Sequence, residues 1–140
     1  MQATQLLLVE LRGALYGIPG EVVREIVPLA PTTRLPGAPP HVRGIMNLRG
    51  QLVTVVDLAQ RLTGDVARNA DASTIVVQSA GRTLGLTVDD VRDVQSVEEG
   101  SEEELPYRPV EGDLGRRLGR LGGEVVIVLD IDQLTRETFG

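Results

Sequence analysis

The chain contains two copies of one pattern, and this limits its fold more than any other feature. Gly13-Ala14-Leu15-Tyr16-Gly17-Ile18 returns as Gly81-Arg82-Thr83-Leu84-Gly85-Leu86, at an offset of 68 residues. At the same offset Leu7-Leu8-Val9 falls on Ile75-Val76-Val77, and Glu21-Val22-Val23-Arg24-Glu25-Ile26 falls on Asp89-Asp90-Val91-Arg92-Asp93-Val94. Further on, Leu52-Val53-Thr54-Val55-Val56-Asp57-Leu58 is matched by Val125-Val126-Ile127-Val128-Leu129-Asp130-Ile131, now at an offset of 73. Gln60 and Leu62 are echoed by Gln133 and Leu134 after one residue is dropped. The growing offset places an insertion in the second copy, and the acidic loop Glu98 to Glu104 is its natural position. Each copy is too small to bury a sufficient core alone, so the two must pack on each other.

The elements of one copy follow from residue type. Gln5 to Leu11 reads as a strand, turning at Arg12-Gly13 into a second strand, Ala14 to Ile18. Glu21 to Leu29 continues as extended chain, offering Val23, Ile26 and Val27 to the core. Ala30 to Pro40 is too rich in proline for a helix or a central strand and reads as a long loop. After the β-branched run Leu52–Val56, Asp57 can cap a short helix over Leu58 to Leu62, stopped by Gly64. Asp65 to Ala72 is the connector to the second copy. Aromatic residues are only 2% of the chain, so the core must be built from Val, Leu and Ile, which favour sheet in short runs.

The most informative stretch joins two of these strands. Gly44-Ile45-Met46 leads in, Asn47-Leu48-Arg49-Gly50 turns, and Leu52 to Val56 leads out. Asn47 and Gly50 tolerate positive φ and are expected to carry the turn. Leu48 can pin the loop to the core while Arg49 points out, presenting a planar fork of donors suited to a carboxylate. In the second copy the turn aligns with Arg120-Leu121-Gly122-Gly123. The leucine and final glycine remain but the arginine is gone, so the turn itself does not require Arg49.

Gly44-Ile45-Met46-Asn47-Leu48-Arg49-Gly50, followed by Val53-Thr54-Val55-Val56-Asp57-Leu58, resembles the signature of the CheW family of bacterial chemosensory adaptors. Leu35-Pro36-Gly37-Ala38-Pro39-Pro40-His41-Val42 supplies the proline-containing approach, and Val23-Arg24-Glu25-Ile26 fits the family's V-x-E-I. The resemblance implies an all-β fold with short helices, in which two tandem, five-stranded SH3-like barrels pack together. On that division the first barrel comprises about 13–72 plus the strand 5–11, the second about 73–130, and a short helix follows at 131–137. It further implies a non-catalytic cytoplasmic adaptor, held at receptor arrays, that joins the cytoplasmic tip of a methyl-accepting chemoreceptor to the regulatory domain of a CheA-type histidine kinase. Other CheW-like proteins are a further possible partner. The receptor-facing positions it implies are Val23, Glu25, Gly44, Asn47, Leu48, Arg49, Gly50, Ile75, Val76 and Gly85.

The family pattern is left at Leu114-Gly115-Arg116-Arg117-Leu118-Gly119-Arg120, where a glycine is expected near the place of Arg117. Arg116, Arg117, Leu118 and Arg120 are the candidates for kinase docking, and their charge can equally protect an edge strand. No long terminal helix is expected after Asp130-Ile131-Asp132-Gln133-Leu134. These departures favour, as a rival, an accessory adaptor that binds a receptor without recruiting a kinase in a motility, pilus or biofilm pathway.

Other function classes find little support. A net charge of −6 argues against nucleic-acid binding. All fourteen cations are arginines, which removes any Schiff-base or phosphate-loop lysine, and the absence of cysteine removes disulfides and thiol chemistry. The one histidine, His41, lies beside two prolines without the serine or aspartate neighbours of a triad. Asp57 and Asp130 are explained by helix capping. Asp130 and Asp132 do not extend into a calcium-loop ladder, and Asp89-Asp90 with Glu98, Glu99, Glu102, Glu103 and Glu104 read as solvated carboxylates. A small ligand- or metal-binding barrel is therefore the weaker reading, and no cofactor is expected. No run is long enough to span a membrane, and the first residues lack the charge pattern of a signal peptide.

Overall fold

The computed structural model describes residues 3–64, 72–99 and 114–139. Within them lie ten strands and two helices: β1 (Ala3–Leu11), β2 (Ala14–Pro19), β3 (Val23–Pro28), β4 (Val42–Leu48), β5 (Gln51–Asp57), α1 (Leu58–Thr63), β6 (Ser73–Ser79), β7 (Arg82–Val88), β8 (Asp90–Glu99), β9 (Gly115–Leu121), β10 (Glu124–Leu129) and α2 (Ile131–Phe139). A single 3-10 turn, Gly20–Val22, separates β2 from β3. Most of the connector (65–71) and residues 100–113, which include Glu102, Glu103 and Glu104 of the acidic loop, lie outside the described residues.

The strands form two five-stranded sheets of the expected all-β class. One closes into a barrel in the order β1-β2-β10-β9-β8, and the other runs β3-β6-β7-β5-β4. Under the repeat, β6 corresponds to β1, β7 to β2, β3 to β8, β5 to β10 and β4 to β9, so the two orders are the same. The division into sequential halves is corrected by this pairing. The barrel takes β1 and β2 from the first copy and β8, β9 and β10 from the second, and the other sheet takes the remainder. The copies thus exchange their first hairpins, so the barrel joins strands from early and late in the described residues while the other sheet is the contiguous run β3 to β7.

The exchange explains the apolar runs of β1 and β6. Leu6 and Leu8 point into the barrel with Val97, Val126 and Val128. Leu7 and Val9, on the opposite face, join Ile75, Val77, Leu84 and Leu86 in the core between the sheets. Val76 alternates with its neighbours and faces Met46, Val53 and Val55 inside the second sheet. Strands buried on both faces must read as continuous apolar runs. Each fully buried Leu or Ile contributes about 1.5–3 kcal/mol.

Equivalent details recur in both sheets. The helix caps predicted from sequence are present: Asp57 accepts the Gln60 N–H at 3.0 Å and Asp130 accepts that of Gln133 at 3.0 Å. Gly64, at φ 84°, ends α1. β3 carries a bulge at Arg24 and β8 one at the equivalent Arg92-Asp93. At these bulges Arg24 donates to Gln78 (3.1 Å) and Arg92 to Glu10 (2.7 Å), again equivalent pairs. Because a bulge reverses the inward alternation beyond it, Ile26 does not enter the core as expected and stands 46% exposed. Its counterpart Val94 is 53% exposed.

Closure separates the two sheets. In the barrel, Glu98 and Glu99 of β8 pair with Arg120 and Gly119 of β9. No such ladder joins β3 to β4 in the second sheet. Instead the proline-rich loop lies along β4, where the Thr33 N–H donates to Ile45 O and the Ile45 N–H to Thr33 O, both at 2.8 Å. Gly44 permits that approach, since a Cβ there would stand 2.1 Å from the Thr33 carbonyl oxygen.

Candidate functional site

The β4–β5 turn is built differently from the sequence expectation. Arg49 (φ 50°) and Gly50 (φ 87°) occupy its two central positions, so the positive φ falls on Arg49 rather than Asn47. Asn47 stays in β4 and its side-chain oxygen accepts the Gly50 N–H at 2.8 Å, which holds the turn closed. Two positive-φ residues give the turn the twist of the flanking strands. Arg12-Gly13 and Ala80-Gly81 use the same geometry, so the strained backbone at Arg49 is a property of these hairpins and not a mark of the site.

The side chain of Arg49 is the distinctive part. It forms a two-pronged ion pair with Glu25, its Nη1 donating at 3.2 Å to Oε2 and its Nη2 to Oε1. Glu25 lies on β3 and Arg49 on the β4–β5 turn, so the pair spans the sheet's unpaired seam. The bond to Glu25 raises the pKa of the arginine further. Arg49 is therefore exposed but already engaged, rather than simply pointing outward.

Several other candidates share one row with Glu25. Reading across the sheet, Glu25 pairs with Val76, Val76 with Gly85, Gly85 with Val55, and Val55 with Gly44. The row faces the interior of the second sheet, where Gly85 leaves room for Thr74, Met46 and Val55. Gly44, Ile75, Val76 and Gly85 are buried, and of these Val76, Gly85 and Gly44 lie in the row with Glu25. Val23 and Leu48 are half-buried, whereas Asn47, Arg49 and Gly50 are exposed.

Sequence reasoning missed a groove on the other face of β3. Leu7, Pro19, Val23 and Val94 form its apolar lining and Thr4, Gln5 and Glu21 its polar part, around a volume of about 670 Å³. It lies where β1 and β8 of the barrel meet the 3-10 turn and β3 of the other sheet. Ile26 is on the same face of β3 as Val23, because their partners Ile75 and Val77 are two residues apart on β6. The signal was present in the repeat, where Ile26 and Val94 are equivalent, but the bulges that expose them were not legible.

The kinase candidates lie on β9, which pairs with β10 along its length and, among the described residues, with β8 at Gly119 and Arg120. Leu118 is half-buried and Arg120 exposed; the side chains of Arg116 and Arg117 lie outside the described residues.

The matching family model is the CheW-like domain, aligned over residues 5–139. The chain belongs to the CheW-like family. Its relatives include chemotaxis protein CheW of Rhizobium meliloti, 32% identical over 80% of this chain and 74% of that protein. Chemotaxis protein CheW of Klebsiella aerogenes is 32% identical over 85% of this chain and 74% of its own length. The crystal structure of the scaffolding protein TtCheW from Thermoanaerobacter tengcongensis has the same fold, with a TM-score of 0.77 at 24% identity over 94% of this chain and 86% of that one. The chain is thus a non-catalytic adaptor of the chemotaxis type. No described helix is long and apolar enough to cross a membrane, and no cluster of metal-ligating side chains occurs among the described residues.

His41 illustrates what the family fold asks of a polar side chain. Burial lowers its pKa below 6.5, and Arg61 lowers it further while Glu137 opposes. Its Nε2 is buried without a hydrogen-bond partner, so a second proton would meet no acceptor. Arg61 itself donates to Glu137 at 2.5 and 3.1 Å, tying α1 to α2 beside the ring. Well above pH 6.5 the ring is neutral in both folded and unfolded chains and adds no pH dependence. As pH falls below that value the unfolded chain takes up the proton first, so stability is lost until the folded pKa is passed. Urea unfolding at about pH 7 and about pH 5 should show this loss, and His41→Gln should remove most of it, since the chain has one histidine.

Proposed function

We propose that this protein couples a chemoreceptor to a CheA-type histidine kinase at the cytoplasmic face of receptor arrays. Two observations carry the reading: an apolar groove between the two sheets, and the Arg49–Glu25 pair across the open seam. Both involve β3, where Val23 lines the groove and Glu25, on the strand's other face, holds Arg49.

A receptor's helical hairpin tip suits such a groove. Apolar residues of the tip would cover Leu7, Val23 and Val94, and the charged pair would set orientation at the edge. The buried row behind Glu25 keeps the pair in register, so Val76, Gly85 and Gly44 act by positioning. The kinase regulatory domain would use β9, including Leu118 and Arg120. Holding both partners at once raises their effective concentration and fixes their geometry, so receptor state can bias kinase activity without chemistry by the adaptor.

Val94→Arg tests the groove with little risk to the fold, because the side chain is more than half exposed. Titration with a purified receptor tip should show a loss of affinity of about ten-fold or more. Binding to the kinase regulatory domain should be unchanged. Unaltered receptor affinity would remove the groove from the account.

A further inference from the structure

The repeat makes one end of the closed barrel directly comparable with the Arg49–Glu25 end of the second sheet. Asp93 corresponds to Glu25 at the offset of 68, and Leu121, Gly122 and Glu124 correspond to Leu48, Arg49 and Gln51 at the offset of 73. In the second sheet an arginine from the turn reaches its carboxylate. In the barrel that arginine is replaced by Gly122, which adopts the same left-handed backbone (φ 59°), and a Cβ there would meet nothing within 4 Å.

The barrel end is accordingly open. A cavity of about 430 Å³ is lined by the apolar Leu8, Leu15 and Leu121 and by Arg92, Asp93 and Glu124. Its lining sets one guanidinium, Arg92, against two carboxylates, and Arg92 feels Glu124 as well as its bonded partner Glu10. Arg92 is committed to Glu10 at 2.7 Å, and Asp93 accepts only the Val94 N–H at 2.8 Å and the Gln95 amide at 3.4 Å. Among the described residues no cation forms an ion pair with Asp93 or Glu124. Where the second sheet has neutral Gln51, the barrel carries Glu124, so this end is the more acidic of the two.

We propose that this cavity receives an arginine side chain presented on a tight turn of a partner protein, in the way Arg49 is presented to Glu25. The partner's guanidinium pairs with Asp93 and Glu124, and its aliphatic stem lies over Leu15 and Leu121. Arginine fits better than lysine because two separated carboxylates are met by a planar fork and not by a point charge. The inference rests on the internal comparison and is independent of which protein occupies the groove.

The probe is a cyclised hairpin peptide with the turn Asn-Leu-Arg-Gly-Gln, together with its citrulline analogue, which keeps the shape and loses the charge. Titrated into the isotope-labelled protein at up to millimolar concentration, the arginine peptide should give saturable amide shifts at Val94, Gln95, Leu121 and Glu124. The citrulline peptide should bind about ten-fold more weakly or not at all. Asp93→Asn should reproduce that loss with the fold intact, and Gly122→Arg should fill the cavity from within and block the peptide. Absence of saturable shifts, equal binding of the citrulline peptide, shifts mapping elsewhere, or undiminished binding to Asp93→Asn would each overturn the proposal.

Discussion

Gly44→Ala should destabilise the protein by about 3–5 kcal/mol, enough to unfold much of it at physiological temperature. Two costs add at this position. The backbone sits at φ 138°, which side-chain-bearing residues rarely adopt, and the new Cβ would be driven against the Thr33 carbonyl oxygen. That oxygen cannot move away cheaply, because it accepts the Ile45 N–H in the pair of bonds that lays the loop along β4. Gly13→Ala is the control: its φ is also positive, but nothing lies within 4 Å, so about 1 kcal/mol is expected. Denaturant midpoints of the two variants would check this. Similar midpoints would mean the loop is free to lift from β4.

Arg49→Glu should behave in the opposite way, with binding lost and the fold retained. Arg49 is exposed and its turn geometry is shared by Ala80, so the turn does not depend on the guanidinium. The substitution faces a new carboxylate toward Glu25 across the seam and breaks the ion pair that would orient the receptor tip. Receptor-tip affinity should fall by about ten-fold or more, while circular dichroism and the unfolding midpoint change little. Full receptor affinity in a folded variant would leave the pair with a purely local role.

Much of this architecture was legible because its signals are local. The Asp57 and Asp130 caps, the Gly64 stop and the alternating strands follow from residues within one or two turns of each other. The repeat correctly showed two equivalent sheets. Which strands pair across the copies could not be read, because exchanging the first hairpins leaves every local pattern unchanged and is decided by the shared core of β1, β6 and β7. The candidate site divided along similar lines. Glu25 and Arg49 were both singled out, but their mutual pairing depends on a seam that closes in one sheet and not in the other. Ile75 and Val76 sat in a recognisable strand, yet only the exchange buries both of its faces. Ile26 and Val94 were hidden by bulges, which one unpaired residue creates and which composition does not signal.

The central claim is that one molecule holds receptor and kinase together, and sedimentation of the three purified components tests it most directly. The account predicts a single ternary species from wild-type protein, a receptor tip and a CheA-type regulatory domain. It further predicts that Arg49→Glu leaves only the adaptor–kinase pair. Receptor and kinase domain competing for the adaptor, or the receptor tip alone co-sedimenting while the kinase domain stays free, would contradict it.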